Sequence, residues 1–321
     1  MPIDELAALG ASLCFAVAGL LAVEPSRVLG AIRFNRIRML VISALLLTVS
    51  WFSGGIDTLS MDVLPVLVIS GLVGIFLGDT FLFGGLRRVG PRRNAVMFAL
   101  NAPLTAIAGM FFLDEVLSFP VFLGCLFVTS GVMIAIAYGR RPSASSHWEA
   151  VHGSLPLGLL FGFLAAAGQA GGILLSRPVM EQGVDPVAGS AVRVAIAALA
   201  LFIIYGWTAR GTAKDHSVWT RTIILKTIGS GVIGMGVGMT LVMFALTGGE
   251  AGIVSTLSSA APVVMLPVLW MTSQERPALG VWIGALIVFF WNRSDPQPRI
   301  MHSICAKYAQ EWRIGACERE A

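Results

Sequence analysis

The chain has 321 residues, of which 56% are hydrophobic and only 12% charged. That balance excludes an ordinary soluble domain. The net charge of +4 does not mark a nucleic-acid binder, because the basic residues gather at the ends of apolar stretches. The four cysteines form no CxxC pair and the four histidines all lie outside the apolar stretches, so neither a metal site nor a cofactor is expected.

A hydrocarbon layer of about 30 Å needs about 20 apolar residues of helix. Ten stretches are read as spans: residues 6–23, 34–52, 63–86, 95–113, 116–138, 154–176, 187–207, 227–246, 251–272 and 277–291. A cleavable leader is not expected, since Asp4 and Glu5 precede the first span where such a leader carries positive charge. The predicted fold is an all-α membrane protein of ten helices in two five-helix inverted repeats, the last helix short. The first repeat covers residues 1–141, a linker 142–153, the second repeat 154–291, and a polar tail 292–321.

Arg33 stands at the start of span two. It either snorkels to the headgroups or contacts an anionic substrate or Asp79. Arg36 and Arg38 follow and read as orientation signals. Asp79 lies inside span three, and a charge there is costly enough to suggest function. It reads either as a proton or cation carrier or a substrate contact, or as half of a fixed ion pair with an arginine. In span four, Asn101, Pro103 and Thr105 are placed mid-membrane, where proline frees a backbone carbonyl. Glu115 sits at the end of that span, together with Asp114, and reads as solvated or capping.

Gln169 is a polar candidate in span six, and Arg193 begins span seven as Arg33 begins span two. Gly229, Gly231, Gly234, Gly236 and Gly238 crowd span eight. They lack the strand that a dinucleotide loop requires, and predict close helix approach or flexing instead. In span nine, Ser255, Ser258 and Pro262 share one helical face. With Asn101 they are expected to line a central polar cavity; packing by small hydroxyl residues is the other reading. Span ten has about 15 residues, roughly 22 Å of helix, short of the hydrocarbon thickness. The tail after it reads either as a natural polar extension or as a displaced reading frame.

The halves match in detail. Pro25 precedes Arg33 by eight residues, and Pro103 follows 70 later; Pro186 precedes Arg193 by seven, and Pro262 follows 69 later. Glu115 precedes Gly124 by nine residues, as Glu275 precedes Gly284. Such a duplication lets a pathway form between two units that rock against each other.

The ordered set of motifs is specific. Gly78-Asp-Thr-Phe-Leu-Phe-Gly-Gly-Leu-Arg-Arg-Val-Gly-Pro-Arg-Arg93, Asn101-Ala-Pro103, Phe112-Leu-Asp-Glu115 and Gly124 resemble the drug/metabolite transporter superfamily, in its ten-helix EamA-type branch. Phe244-Ala-Leu-Thr-Gly-Gly-Glu-Ala251, Pro262, Gln274-Glu275-Arg-Pro277 and Trp282-Ile-Gly-Ala-Leu286 repeat the pattern. The resemblance spans roughly residues 6–288. It implies secondary transport of a small metabolite or drug across the cell membrane by alternating access, with ion coupling or exchange.

Two other classes are compatible with parts of the pattern. One is a membrane sensor, scaffold or inactive paralogue that transports nothing. The other is an intramembrane enzyme, because Phe76-Leu-Gly78-Asp79 loosely resembles the Gly-x-Gly-Asp element of aspartyl proteases. That chemistry needs two carboxylates, and no second aspartate lies deep in a span. The substrate, the coupling ion and the oligomeric state are not encoded in these motifs.

Orientation is the first testable expectation. Lysine and arginine crowd residues 87–93, 140–141 and 210–226, which places those loops in the cytoplasm and both termini outside. The resemblance implies the opposite, termini inside. With the charges followed, a cysteine at Ser143 resists a membrane-impermeant thiol reagent in intact cells while one at Thr58 reacts. The reverse labelling restores the family orientation.

Overall fold

The computed structural model describes residues 3–115, 154–208 and 220–260, together with isolated helical positions between 119 and 133. Every regular element among them is helical. The helices are α1 (Ile3–Leu29), α2 (Ala31–Phe52), α3 (Val63–Ser70), α4 (Gly78–Phe98), α5 (Asn101–Phe112), α6 (Leu155–Glu181), α7 (Pro186–Thr208), α8 (Arg221–Ser230), α9 (Met239–Gly248) and α10 (Ala251–Ser258). Expected span five is described only at scattered positions, while span ten and Pro262 lie outside the described residues.

Five helical runs are long and apolar enough to cross a membrane: Ile3–Ser26, Val63–Leu86, Leu155–Glu181, Pro186–Ile204 and Arg221–Gly248. Their outward faces carry Leu13, Ile69, Leu160, Phe202 and Leu225, all well exposed, as lipid contact requires. The first span extends beyond its expected end at residue 23 and continues through Pro25. Gly30, with φ of 79°, then turns the chain into α2, a backbone state that glycine adopts without a Cβ clash.

Spans three and eight contain a feature the periodicity did not predict. Residues Gly71–Leu77 and Gly231–Gly238 are π-helical, each inserted in an otherwise α-helical run. The two sites align residue for residue: Ser70-Gly-x-x-Gly74-x-x-x-Gly78-x-Thr80 recurs as Ser230-Gly-x-x-Gly234-x-x-x-Gly238-x-Thr240. π-Helical turns concentrate at functional sites, and here one lies in each repeat.

Helical geometry persists through residues 87–93, which were expected to be a loop. The chain nevertheless reverses there. Asn94 Nδ2 donates to the Leu82 carbonyl at 2.9 Å, twelve residues back, where a straight helix separates them by about 18 Å. Gly85 makes the return possible, since a methyl group at that position would lie 2.2 Å from Asn94 Oδ1.

Contacts at the helix ends sort onto two faces. On one, Asp4 approaches Gly248 and Gly249, Thr58 Oγ1 accepts from the Asp185 amide at 3.0 Å, and Glu115 accepts from the Ala251 amide. On the other, Glu24 pairs with Lys226, and Gly158 packs on Arg88 and Val89. Helix α1 starts at the first face and α6 at the second, so the leading helices of the two halves run in opposite senses.

Candidate functional site

The polar groups of the interior gather along the seam between the halves. Asp79, two residues into α4, accepts from Asn35 Nδ2 at 2.9 Å, and Arg38 Nη2 lies 4.0 Å from the same carboxylate oxygen. Arg38 Nη2 also donates to Asn35 Oδ1 at 2.7 Å, so the asparagine bridges acid and base. The guanidinium stacks 5.3 Å from the centre of the Phe34 ring. Arg38 is therefore an interior residue, with a side chain only 15% exposed, and not the surface orientation signal expected of it. Three arginines within six residues look alike in sequence; the turn of α2 decides which one faces inward.

A cavity of about 240 Å³ adjoins this cluster. Ile32, Asn35, Thr80 and Arg88 line it from the first half, Phe161 and Leu201 from the second. Arg88 stacks over Phe161 at 4.6 Å and donates to the Gly84 carbonyl at 2.9 Å. An amphipathic wall of this kind, apolar with a few convergent polar groups, suits a small molecule.

A second polar cluster joins α5 to α10. Asn101 Oδ1 accepts from Ser255 Oγ at 3.0 Å and from Ser259 Oγ at 2.9 Å, while its Nδ2 donates to the Phe98 carbonyl at 2.8 Å. Ser258 turns back to the Ser255 carbonyl at 3.1 Å, and Thr105 to the Asn101 carbonyl at 2.7 Å. Pro103 is not in mid-helix, because the chain breaks at Ala99 and Leu100 and α5 begins at Asn101. Its missing N–H therefore falls in the first turn, where no helical partner exists. Close packing accompanies these bonds: a methyl at Gly252 would meet Ala106 Cβ at 2.9 Å.

Arg193 is completely buried. Its Nη1 points to the thioether sulfurs of Met239 at 3.5 Å and Met243 at 3.3 Å. Its Nε and Nη2 have no hydrogen-bond partner among the described residues. Measured by its contacts, its counterpart in the first half is Arg38 rather than Arg33. Arg193 abuts Gly71 and Gly74 of the opposite half, and Arg38 likewise abuts Gly231. Arg33 lies half-buried at the start of α2, and Gln169 is half-buried on α6, its backbone beside Gly78.

One functional-looking cluster was not anticipated. Glu115 was expected to be solvated or to cap a helix. It caps α10 through the Ala251 amide at 2.7 Å, but its side chain is only 7% exposed and lies 3.5 Å from Arg177 Nε, a contact that was not expected. Arg177 Nη1 also donates to the Leu246 carbonyl at 2.7 Å, and Nη2 meets Glu181 at 2.7 Å. The i,i+4 pair of Arg177 and Glu181 was the available signal; it lay just past the predicted end of span six.

An apolar helical exterior around charges drawn into a seam between two halves defines an integral membrane protein with an internal duplication. The model of the EamA-like transporter family matches the chain twice, over residues 3–137 and 156–290, and the chain belongs to that family. The fold is also similar to a protein of known crystal structure, with a TM-score of 0.70 and 18% identity over 90% of this chain and 94% of the other. At that identity the likeness shows the fold. A search of curated proteins finds no match.

Proposed function

We propose that this protein is a secondary transporter of a small metabolite or drug in the cell membrane, working by alternating access between two inverted five-helix repeats of ten spans in all. The observation that carries the reading is the cavity beside Asp79, walled by residues of both halves. A site built from two units opens to one side or the other as they rock. The substrate pathway runs past Asp79, Thr80 and Arg88 and along the seam marked by Asn101, Ser255 and Arg193, with Gln169 nearby. Asp79 is the coupling group, exchanging a proton or cation as its contact with Arg38 loosens. The partner of Asp79 is an arginine and not a second carboxylate, which speaks against acid protease chemistry.

A ligand identified by thermal stabilisation of the purified protein is the starting point for the test. In reconstituted vesicles it should accumulate above the level of protein-free vesicles, and accumulation should collapse when the ion gradient is dissipated. A ligand that binds but never crosses would favour a sensor instead.

A further inference from the structure

The two halves place an arginine at the same point, but among the described residues only one has a counter-charge. Aligning the π-helical motifs sets Asp79 opposite Met239, since each follows the last glycine of its motif. Arg38 thus faces a carboxylate where Arg193 faces a thioether. We infer that Arg193 is the binding site for a carboxylate carried by the transported substrate, which supplies to Arg193 the counter-charge that Asp79 supplies to Arg38.

The geometry fits that chemistry. The unpartnered atoms, Nε and Nη2, form one edge of the guanidinium, which presents two parallel N–H groups matched to the two oxygens of a carboxylate. A bare cation inside a membrane protein is costly unless something neutralises it. Two glycines close this edge. A methyl group at Gly74 or at Gly172 would lie 3.1 Å from Nη2. Gly74 belongs to the first half and Gly172 to the second, so any parting of the halves uncovers the fork. The same motion that opens a pathway would thus expose the anion site. The inference rests on the transport reading and narrows its substrate to small molecules bearing a carboxylate.

The test uses the full-length protein and a panel of small monocarboxylates, each paired with its neutral amide. At least one carboxylate should raise the melting temperature while its amide does not. Arg193→Met removes the cation, and Met239→Asp supplies an internal carboxylate in its place. Both variants should fold as well as the wild type, and in both the carboxylate shift should disappear. Absence of any carboxylate-specific shift, or its survival in Met239→Asp, overturns the inference. A carboxylate that binds but does not cross vesicles keeps the site and sinks the transport reading. A neutral solute that crosses without any carboxylate binding does the reverse.

Discussion

Replacing Asp79 by asparagine is expected to abolish gradient-driven accumulation while leaving substrate exchange intact. The amide fills the same volume and still meets Asn35, but it carries no charge for a coupling ion to neutralise. Exchange survives because it needs only that the loaded carrier reorient. Stability should fall as well. The guanidinium of Arg38 keeps the Asn35 oxygen and the Phe34 ring but loses the carboxylate that faces it. Removing one partner of a buried pair costs about 3–5 kcal/mol. Both side chains here keep some exposure, at 15% and 22%, so about 2 kcal/mol is expected. Gradient-driven transport at the wild-type rate by a well-folded Asp79→Asn protein would remove this residue from the coupling step.

Glu115→Ala is expected to cost more in stability than any other single change considered. The carboxylate holds three segments at one face: the end of α5, the last turns of α6 through Arg177, and the start of α10 through the Ala251 amide. Without it, Arg177 keeps only the half-exposed Glu181 and the Leu246 carbonyl. A loss of about 3 kcal/mol should follow, measured by reversible unfolding in mixed detergent. Adding Arg177→Met to that variant removes the stranded cation and should recover part of the loss. A change below about 0.5 kcal/mol would show that the cluster is decorative.

The duplication and the polar cluster at Asn101 were legible because both depend on residues that are rare inside apolar helices. Proline, asparagine and serine stand out there, and the spacing of the prolines survives in both halves. The sequence offered Asn101 and Ser255 for a polar cavity or for packing; their direct bond depends on the register of two helices. The partner of Asp79 was not anticipated, because choosing Arg38 over Arg33 requires the rotation of α2, which hydrophobic periodicity leaves loose in a helix apolar nearly all round. The π-helical turns were not expected from the periodicity, and the recurring Ser-Gly-x-x-Gly motif gained its meaning only once they were seen. Glu115 and Arg177 meet only through the packing of the bundle. The unequal charges opposite Arg38 and Arg193 became readable once the π-helices supplied the alignment.

Rocking of the two halves is tested most directly at the opposite faces of the seam, in a protein freed of native cysteines. Thr58 and Asp185 meet at one face and Glu24 and Lys226 at the other, each pair joining the first half to the second. Cysteines placed at one pair and bridged by a short thiol-reactive linker should stop transport in vesicles. The substrate should then remain able to bind from the unbridged side alone, and the other pair should give the mirror result. Full transport by either completely bridged protein would contradict alternating access between the repeats.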